Sequence, residues 1–237
     1  MALWLYNQQT HRYRVGDEGA QVFGQRAGTF LSERRMTQVR DEWIAVSKQR
    51  VNAMAEQLAS GRMTIQEWTY AMRREVRTNF INEYMLGHGG RSTMTPADWG
   101  RIGNKVQDQY RFLDNFAHRI EQGGLSEAQI AARARMYVEA SSQAYEHGRA
   151  AGMGAPDLPA YPGDGSTECV SNCKCHWDIR QTDTEWLCFW RLGAAEHCND
   201  CVTRSGTWNP LRFPKAQAAT KAELDALLEG VLHGHQA

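Results

Sequence analysis

The sequence predicts a mainly α-helical protein, in which a helical bundle is followed by a small cysteine-rich module with a β-hairpin. Apolar residues recur at helical spacing through residues 34–151, and short glycine-containing connections separate the periodic segments. All six cysteines lie between Cys169 and Cys201. Within that stretch, two short segments alternate apolar and polar residues, as half-buried strands do.

The N-terminal residues 1–33 mix glycine, glutamine and aromatic residues without a sustained period, which predicts an irregular arm or a pair of short elements. A first helix is expected from Arg34 to about Gly61. Its apolar positions are Met36, Val39, Trp43, Val46, Val51, Met54 and Leu58. The single five-residue step in this series is compatible with a kink.

Three further helices have recognisable starts. Thr64 and Glu67 form a capping-box pattern, Thr95 precedes a proline at the first helical position, and Ser126 begins a second capping-box pattern. The second helix is expected to end at Gly87 and the third at Gly123. With the first helix, these segments predict an α-helical domain over residues 34–151.

Residues 152–166 contain three of the six prolines and four glycines, which predicts a stiff linker and a domain boundary. The cysteine-rich module follows at residues 167–213. Its predicted strands are 174–179 and 185–191, joined by a hairpin loop at 181–184. Residues 214–237 are predicted to hold a short C-terminal helix and tail, with apolar positions Leu224, Leu227, Leu228 and Val231.

The cysteine spacing predicts a metal site. A Cys-x3-Cys-x-Cys run is followed about two dozen residues later by Cys-x2-Cys, which gives two chelating clusters, and the candidate ligands are Cys169, Cys173, Cys175, Cys198 and Cys201. Zinc takes four ligands in a tetrahedron, so one cysteine is spare, with Cys169 and Cys175 the candidates. His176 and His197 adjoin cysteines and are alternative ligands.

A closed cysteine shell leaves no position for water, so the expected cofactor is structural Zn²⁺ that stabilises the module. Cys188 lies among tryptophans in a predicted strand and is interpreted as a small buried apolar residue. A disulfide framework is the alternative. It is disfavoured because disulfide-rich proteins are usually short secreted chains with cysteines throughout, whereas residues 1–168 contain none.

Charge and hydropathy narrow the functional classes. Residues 1–150 carry 20 Lys and Arg against 16 Asp and Glu, whereas residues 151–237 carry 7 (27 − 20) against 11 (27 − 16). An acidic cysteine-rich module is unlike a DNA-binding zinc finger, which gathers basic residues against phosphates. The first 15 residues lack a secretory signal pattern and no stretch has transmembrane length, so a cytosolic, reducing site of synthesis is expected.

The motifs resemble a known family. The run from Tyr161 to Trp177, followed by Glu196–Cys201 and Trp208–Pro210, is similar to the C-terminal zinc-type motif of tailed-phage minor head proteins, the phage Mu F-like head morphogenesis family. Parts of the helical region, 58–68 and 94–113, resemble the helical portion of the same proteins. The broader family often has Cys-x2-Cys first and Cys-Arg-Cys last, so the cluster order here differs.

The resemblance implies a non-enzymatic minor capsid component of a tailed phage or prophage. It would be made in the host cytoplasm and built into the virion at the portal vertex, where its partners are the portal protein and the major capsid protein. Some family members also contact the packaged DNA. Two alternatives from other classes are a zinc-dependent enzyme acting on nucleic acid, for which Glu196 and His197 are the local base candidates, and a DNA-binding virion protein.

Overall fold

The computed structural model describes residues 2–10 and 12–215. Over these ranges the protein is mainly helical, as the sequence predicts, and it carries two small antiparallel sheets, one of which contains the predicted hairpin. The predicted C-terminal helix and tail lie outside the described residues, apart from Pro214 and Lys215. Among the helices that are described, none is long and apolar enough to cross a membrane.

The N-terminal region consists of a short hairpin and a short helix packed on the helical body. Strands β1 (Trp4–Asn7) and β2 (Arg12–Val15) form an antiparallel hairpin, and the short helix α1 spans Gly19–Phe23. The buried Trp4 indole donates a 2.7 Å hydrogen bond to the carbonyl oxygen of Leu86. This bond ties the first strand to the C-terminal end of a helix more than eighty residues later in the chain.

The helical body consists of α2 (Glu33–Ala59), α3 (Ile65–His88), α4 (Pro96–Glu121), α5 (Glu127–Glu139) and α6 (Ser142–Gly152). The predicted starts at Thr64, Thr95 and Ser126 are confirmed, and each has a complete capping box. The last predicted helix is divided into α5 and α6. The division occurs because the Ser141 backbone N–H and hydroxyl both donate to the Val138 carbonyl oxygen, which tightens the turn.

Helices α3 and α6 cross with their backbones almost in contact. A Cβ atom added at Gly148 would lie 2.2 Å from the Tyr84 carbonyl oxygen, and one added at Gly87 would lie 2.2 Å from the Tyr145 carbonyl oxygen. Glycine is therefore required on both sides of the crossing, because any side chain would push the helices apart.

Replacing Gly148 with alanine is expected to destabilise the protein by at least 1–3 kcal/mol, roughly the cost of overpacking a close-packed core. Chemical denaturation followed by far-UV circular dichroism measures the change. Gly103→Ala is the matched control, since an added Cβ at this exposed α4 position meets nothing within 4 Å. The control should gain stability, because alanine is the better helix former. Equal stability of the two variants would contradict the close crossing.

The cysteine-rich module contains a three-stranded sheet in the order β3–β4–β5. Strands β3 (His176–Gln181) and β4 (Glu185–Arg191) form the predicted hairpin. The sequence analysis did not anticipate helix α7 (Asn199–Thr207) or the third strand, β5 (Leu211–Pro214). Trp177 and Trp190 face each other across the β3–β4 ladder, and both are fully buried.

The segment 152–166 packs between the helical body and the module. Leu158, Ala160 and Tyr161 are buried, and the Ala160 carbonyl oxygen accepts a 2.9 Å hydrogen bond from the Trp177 indole. The Trp177 backbone N–H in turn donates to Glu146 Oε2 on α6 at 3.2 Å. The module is therefore docked directly on α6, and the predicted linker does not act as a free spacer.

Candidate metal centre

Two loops and the start of a helix build the cysteine cluster. Cys169 precedes a 3-10 turn at Val170–Asn172, and Cys173 follows that turn. Val170 has a φ of 48°, in the left-handed region that a β-branched residue seldom adopts. Such a conformation costs on the order of 1–3 kcal/mol and persists only where its surroundings enforce it. The turn is thus held in the shape that brings Cys169 and Cys173 to one side.

The second chelating pair lies at the N-terminus of α7. Cys198 is the N-cap residue and Cys201 lies in the first turn. The free N–H groups and the dipole of a helix start favour negative charge, which stabilises a thiolate at the N-cap position, Cys198. Two hydrogen bonds join this helix start to the loop that carries Cys169. The Glu168 N–H donates to the Asp200 carboxylate, and the Asn199 N–H donates to the Glu168 carboxylate.

The sulfur atoms of the two pairs meet. Cys169, Cys173 and Cys201 have their Sγ atoms within 4.8 Å of one another. Cys201 Sγ is 3.7 Å from Cys169 Sγ and 3.6 Å from Cys173 Sγ, and Cys198 Sγ is 3.6 Å from Cys169 Sγ. In a zinc tetrahedron with bonds of about 2.3 Å, neighbouring sulfurs are ~3.8 Å apart. The three separations of 3.6–3.7 Å match edges of such a tetrahedron, and Cys198 Sγ also lies within 4.8 Å of carboxylate oxygens of Glu168 and Asp200.

All six cysteines are free thiols, and separations of 3.6–3.7 Å are far beyond the ~2.05 Å of a disulfide bond. The hydroxyl of Thr167 lies 3.2 Å from Cys169 Sγ, where it can donate to a thiolate as outer-shell groups do around metal ligands. The donor set is soft and sulfur-rich, so the cluster can hold a metal ion of the zinc class.

Packing five thiols together shifts their pKa values in opposite directions. The pKa of Cys173 falls to about 5, first because the Cys175 thiol donates a hydrogen bond to its sulfur. The same interaction, followed by burial, raises the pKa of Cys175, and burial raises the pKa of Cys201. Burial also acts to raise the pKa of Cys198, but the backbone amides of Cys201 and Cys169 outweigh it and lower that pKa. The thiolate form is therefore favoured at Cys173 and Cys198, and the neutral thiol at Cys175 and Cys201.

His197 is the one neighbouring histidine that the structure brings against a candidate cysteine. Its Nδ1 atom lies 3.8 Å from Cys175 Sγ, and its Nε2 atom is 2.8 Å from the Gly193 carbonyl oxygen. Gly193 reaches this position because it has no side chain, since a Cβ there would lie 2.0 Å from the Lys174 carbonyl oxygen. The Nε2–H group donates to Gly193, which leaves the lone pair of Nδ1 facing Cys175.

The structure therefore brings Cys169, Cys173 and Cys201 together, with Cys198 against Cys169 and with His197 against Cys175. Cys188 lies apart in β4, opposite Ile179 and Leu211, and burial raises its pKa to about 11. This agrees with its interpretation as a buried apolar residue. No contact of His176 with the cluster is found among the described residues, and its neighbour Trp177 packs into the tryptophan group described next.

Tryptophans cover one side of the module core. Trp177 stacks on Trp208 with ring centroids 5.6 Å apart, and Trp190 meets both rings edge to face. The guanidinium of Arg204 lies over Trp208 at 4.8 Å and binds the Ser166 backbone carbonyl oxygen. These rings belong to the same apolar cluster as Cys173, Cys175 and Cys201. Their fluorescence is expected to report on the state of the cysteines.

A second polar cluster, which the sequence analysis missed, is centred on Asp98 at the start of α4. Its Oδ1 atom accepts a hydrogen bond of 2.6 Å from the Tyr84 hydroxyl, and its Oδ2 atom accepts bonds of 2.8 Å and 2.6 Å from the Thr95 N–H and hydroxyl. His88 Nε2 lies 3.3 Å from Oδ2, and Arg101 lies 3.3 Å from Oδ1. The sequence analysis named Thr95 as the start of this helix but not Asp98, whose contacts with α3 were not visible in the sequence.

Comparisons with known proteins add no relative: no family model, no curated protein and no solved structure matches this chain.

Proposed function

We propose that this protein is a non-enzymatic minor head protein of a tailed phage or prophage, which binds at the portal vertex during head assembly. In this proposal the helical body contacts the portal protein or the major capsid protein, and structural zinc fixes the shape of the cysteine module. The resemblance of residues 161–177 and 196–210 to the zinc-type motif of such proteins supplies the class. The cysteine cluster supplies the physical support.

The observation that carries the proposal is that the cysteine sulfurs contact one another in a largely buried cluster. Cys173 and Cys201 are buried, and every sulfur separation given above is that of a shared coordination shell. A catalytic zinc site needs one coordination position open to water. A shell filled by thiolates instead contributes folding free energy, which suits an assembly protein better than a hydrolase.

The local base candidates also favour the structural role. One ring nitrogen of His197 is bound to the Gly193 carbonyl and the other faces Cys175, so the ring has no nitrogen left for substrate. Against the DNA-binding alternative, the two loops that carry the cluster are joined through the acidic side chains of Glu168 and Asp200, which do not attract phosphates.

Retention of the protein on the cognate portal tests the proposal. The purified protein, expressed with zinc under reducing conditions, is passed over immobilised portal rings of the same phage or prophage, and in parallel over its major capsid protein. Retention on either bait is expected, and the portal of an unrelated phage serves as the negative control. Absence of retention on both would contradict the proposal. Steeply salt-dependent retention on DNA alone would favour the DNA-binding class instead.

A further inference from the structure

The cluster contains more ligands than one ion uses. A tetrahedral zinc ion takes four, whereas five cysteines and one histidine converge here. If one ion takes Cys169, Cys173, Cys198 and Cys201, the pair formed by Cys175 and His197 is left over. That pair is 3.8 Å apart, close to the edge length of a second tetrahedron, and Cys175 lies two residues after Cys173 in the same apolar cluster.

We propose that the module holds two zinc ions in one binuclear cluster. The first ion is bound by Cys169, Cys173, Cys198 and Cys201. The second is bound by Cys173, Cys175, Cys201 and His197 Nδ1. The thiolates of Cys173 and Cys201, which are 3.6 Å apart, bridge the two ions. Six side chains thereby fill eight coordination positions, because each bridging thiolate serves twice.

The setting of His197 supports its role as a ligand. Histidines that bind metals through one ring nitrogen almost always donate the other N–H to a carbonyl or carboxylate, which fixes the ring and its tautomer. The 2.8 Å contact between His197 Nε2 and the Gly193 carbonyl oxygen is such an anchor. Only glycine can occupy position 193, because a Cβ atom there would clash with the Lys174 carbonyl oxygen. The ring is therefore held with Nδ1 directed at the cluster.

Charge also favours two ions over one. One Zn²⁺ with four thiolates leaves a net charge of −2 in a site where Cys173 and Cys201 are at most 6 % exposed. Two Zn²⁺ ions with five thiolates and a neutral imidazole leave −1. Since burying uncompensated charge is costly, the binuclear cluster is the less penalised arrangement of these side chains.

The inference rests on the metal-binding part of the proposed function, and metal stoichiometry separates the two. The full chain is produced with zinc under reducing conditions, freed of loosely held metal, and weighed by native mass spectrometry. We expect two zinc ions per chain. One zinc per chain would overturn the binuclear cluster but keep the structural zinc site, whereas no zinc would overturn both. Portal binding is measured separately and does not depend on this number.

Variants identify the second site. His197→Ala and Cys175→Ser should each retain one zinc and keep the far-UV spectrum of the native protein. His176→Ala and Cys188→Ala are the matched controls. His176 is next to Cys175 in the sequence, and Cys188 lies in the same apolar core, but neither is a proposed ligand. Both variants should retain two zinc ions. Two zinc ions in His197→Ala and Cys175→Ser alike would contradict the assignment.

Cadmium NMR of the native chain tests whether thiolates bridge the two ions. After exchange of zinc for ¹¹³Cd, the native chain should give two cadmium resonances, one for a four-sulfur site and one for a site with three sulfurs and one nitrogen. Scalar coupling between the two resonances is expected, since it passes through shared thiolates. A single resonance, or two uncoupled resonances, would overturn the shared-ligand cluster.

Discussion

Removing the metal is expected to unfold the cysteine module while helices α2 to α5 remain folded. Structural zinc sites contribute on the order of 10 kcal/mol of apparent folding free energy near neutral pH, more than most domains possess in total. Without the ion, the buried thiols of Cys173 and Cys201 would lie side by side with no metal charge to balance a thiolate. The largest apolar cluster of the helical body, by contrast, contains no residue of the module.

A zinc chelator added under reducing conditions tests this expectation. The tryptophan fluorescence and the near-UV circular dichroism should change strongly, because Trp177, Trp190 and Trp208 pack in the module core, whereas most of the far-UV helical signal should persist. Cys201→Ser should reproduce the chelated state. Cys188→Ala, which removes a buried thiol from β4, is the control and should keep the native spectrum in zinc. An unchanged tryptophan signal after complete chelation would contradict a metal-dependent module.

Replacing Asp98 with alanine is expected to cost about 3–5 kcal/mol of unfolding free energy, the range found when one member of a buried charged network is removed. The carboxylate is 2 % exposed and accepts from the Tyr84 and Thr95 hydroxyls, so its loss leaves the buried Tyr84 hydroxyl unpaired and uncaps α4. Denaturant unfolding of the helical body measures the change. Asp114→Ala is the control, because its ion pair with Arg73 is about half exposed and should be worth less than about 1 kcal/mol.

The same carboxylate predicts a pH dependence. Burial acts to raise the pKa of Asp98, but hydrogen bonds from Thr95 and Tyr84 outweigh burial and lower it. A carboxylate whose pKa is lower in the folded state stabilises the fold fully at pH values above its pKa in the unfolded chain, which is about 3.9. This stabilisation is lost as the pH falls through the pKa of the folded state. Below about pH 4, the wild type should therefore lose stability more steeply than Asp98→Asn. Parallel curves for the two proteins would rule out this role.

Much of the helical body follows from local chemistry. The caps at Thr64, Thr95 and Ser126 are set within four residues of sequence, and the structure forms all three. The break between α5 and α6 was not predicted, because serine bonding back to a carbonyl competes with the helix only in a suitable tertiary setting. The close crossing of α3 and α6 was missed for a similar reason, since a glycine in a helix does not reveal which backbone approaches it.

In the cysteine cluster, too, local sequence patterns predicted part of the arrangement and tertiary contacts determined the rest. Spacing alone identified the five cysteines that meet, because metal ligands come in close pairs joined by short turns. It did not select His197, since that choice depends on the Gly193 carbonyl and on the close approach of Gly193 to Lys174. The sequence also did not predict that the module docks on α6. A proline- and glycine-rich sequence is typical of linkers, and only the contacts of Trp177 with Ala160 and Glu146 reveal that this one is packed.

The anchoring of Trp4 to Leu86 has a consequence for the order in which the molecule can be assembled on the ribosome. The first strand emerges long before α3 is complete, and Tyr145, in the same apolar cluster as Trp4, emerges later still. During synthesis the N-terminal hairpin therefore has no partner for these contacts until most of the helical body has left the exit tunnel. Its docking belongs to the late steps of folding, because it closes contacts of long sequence separation.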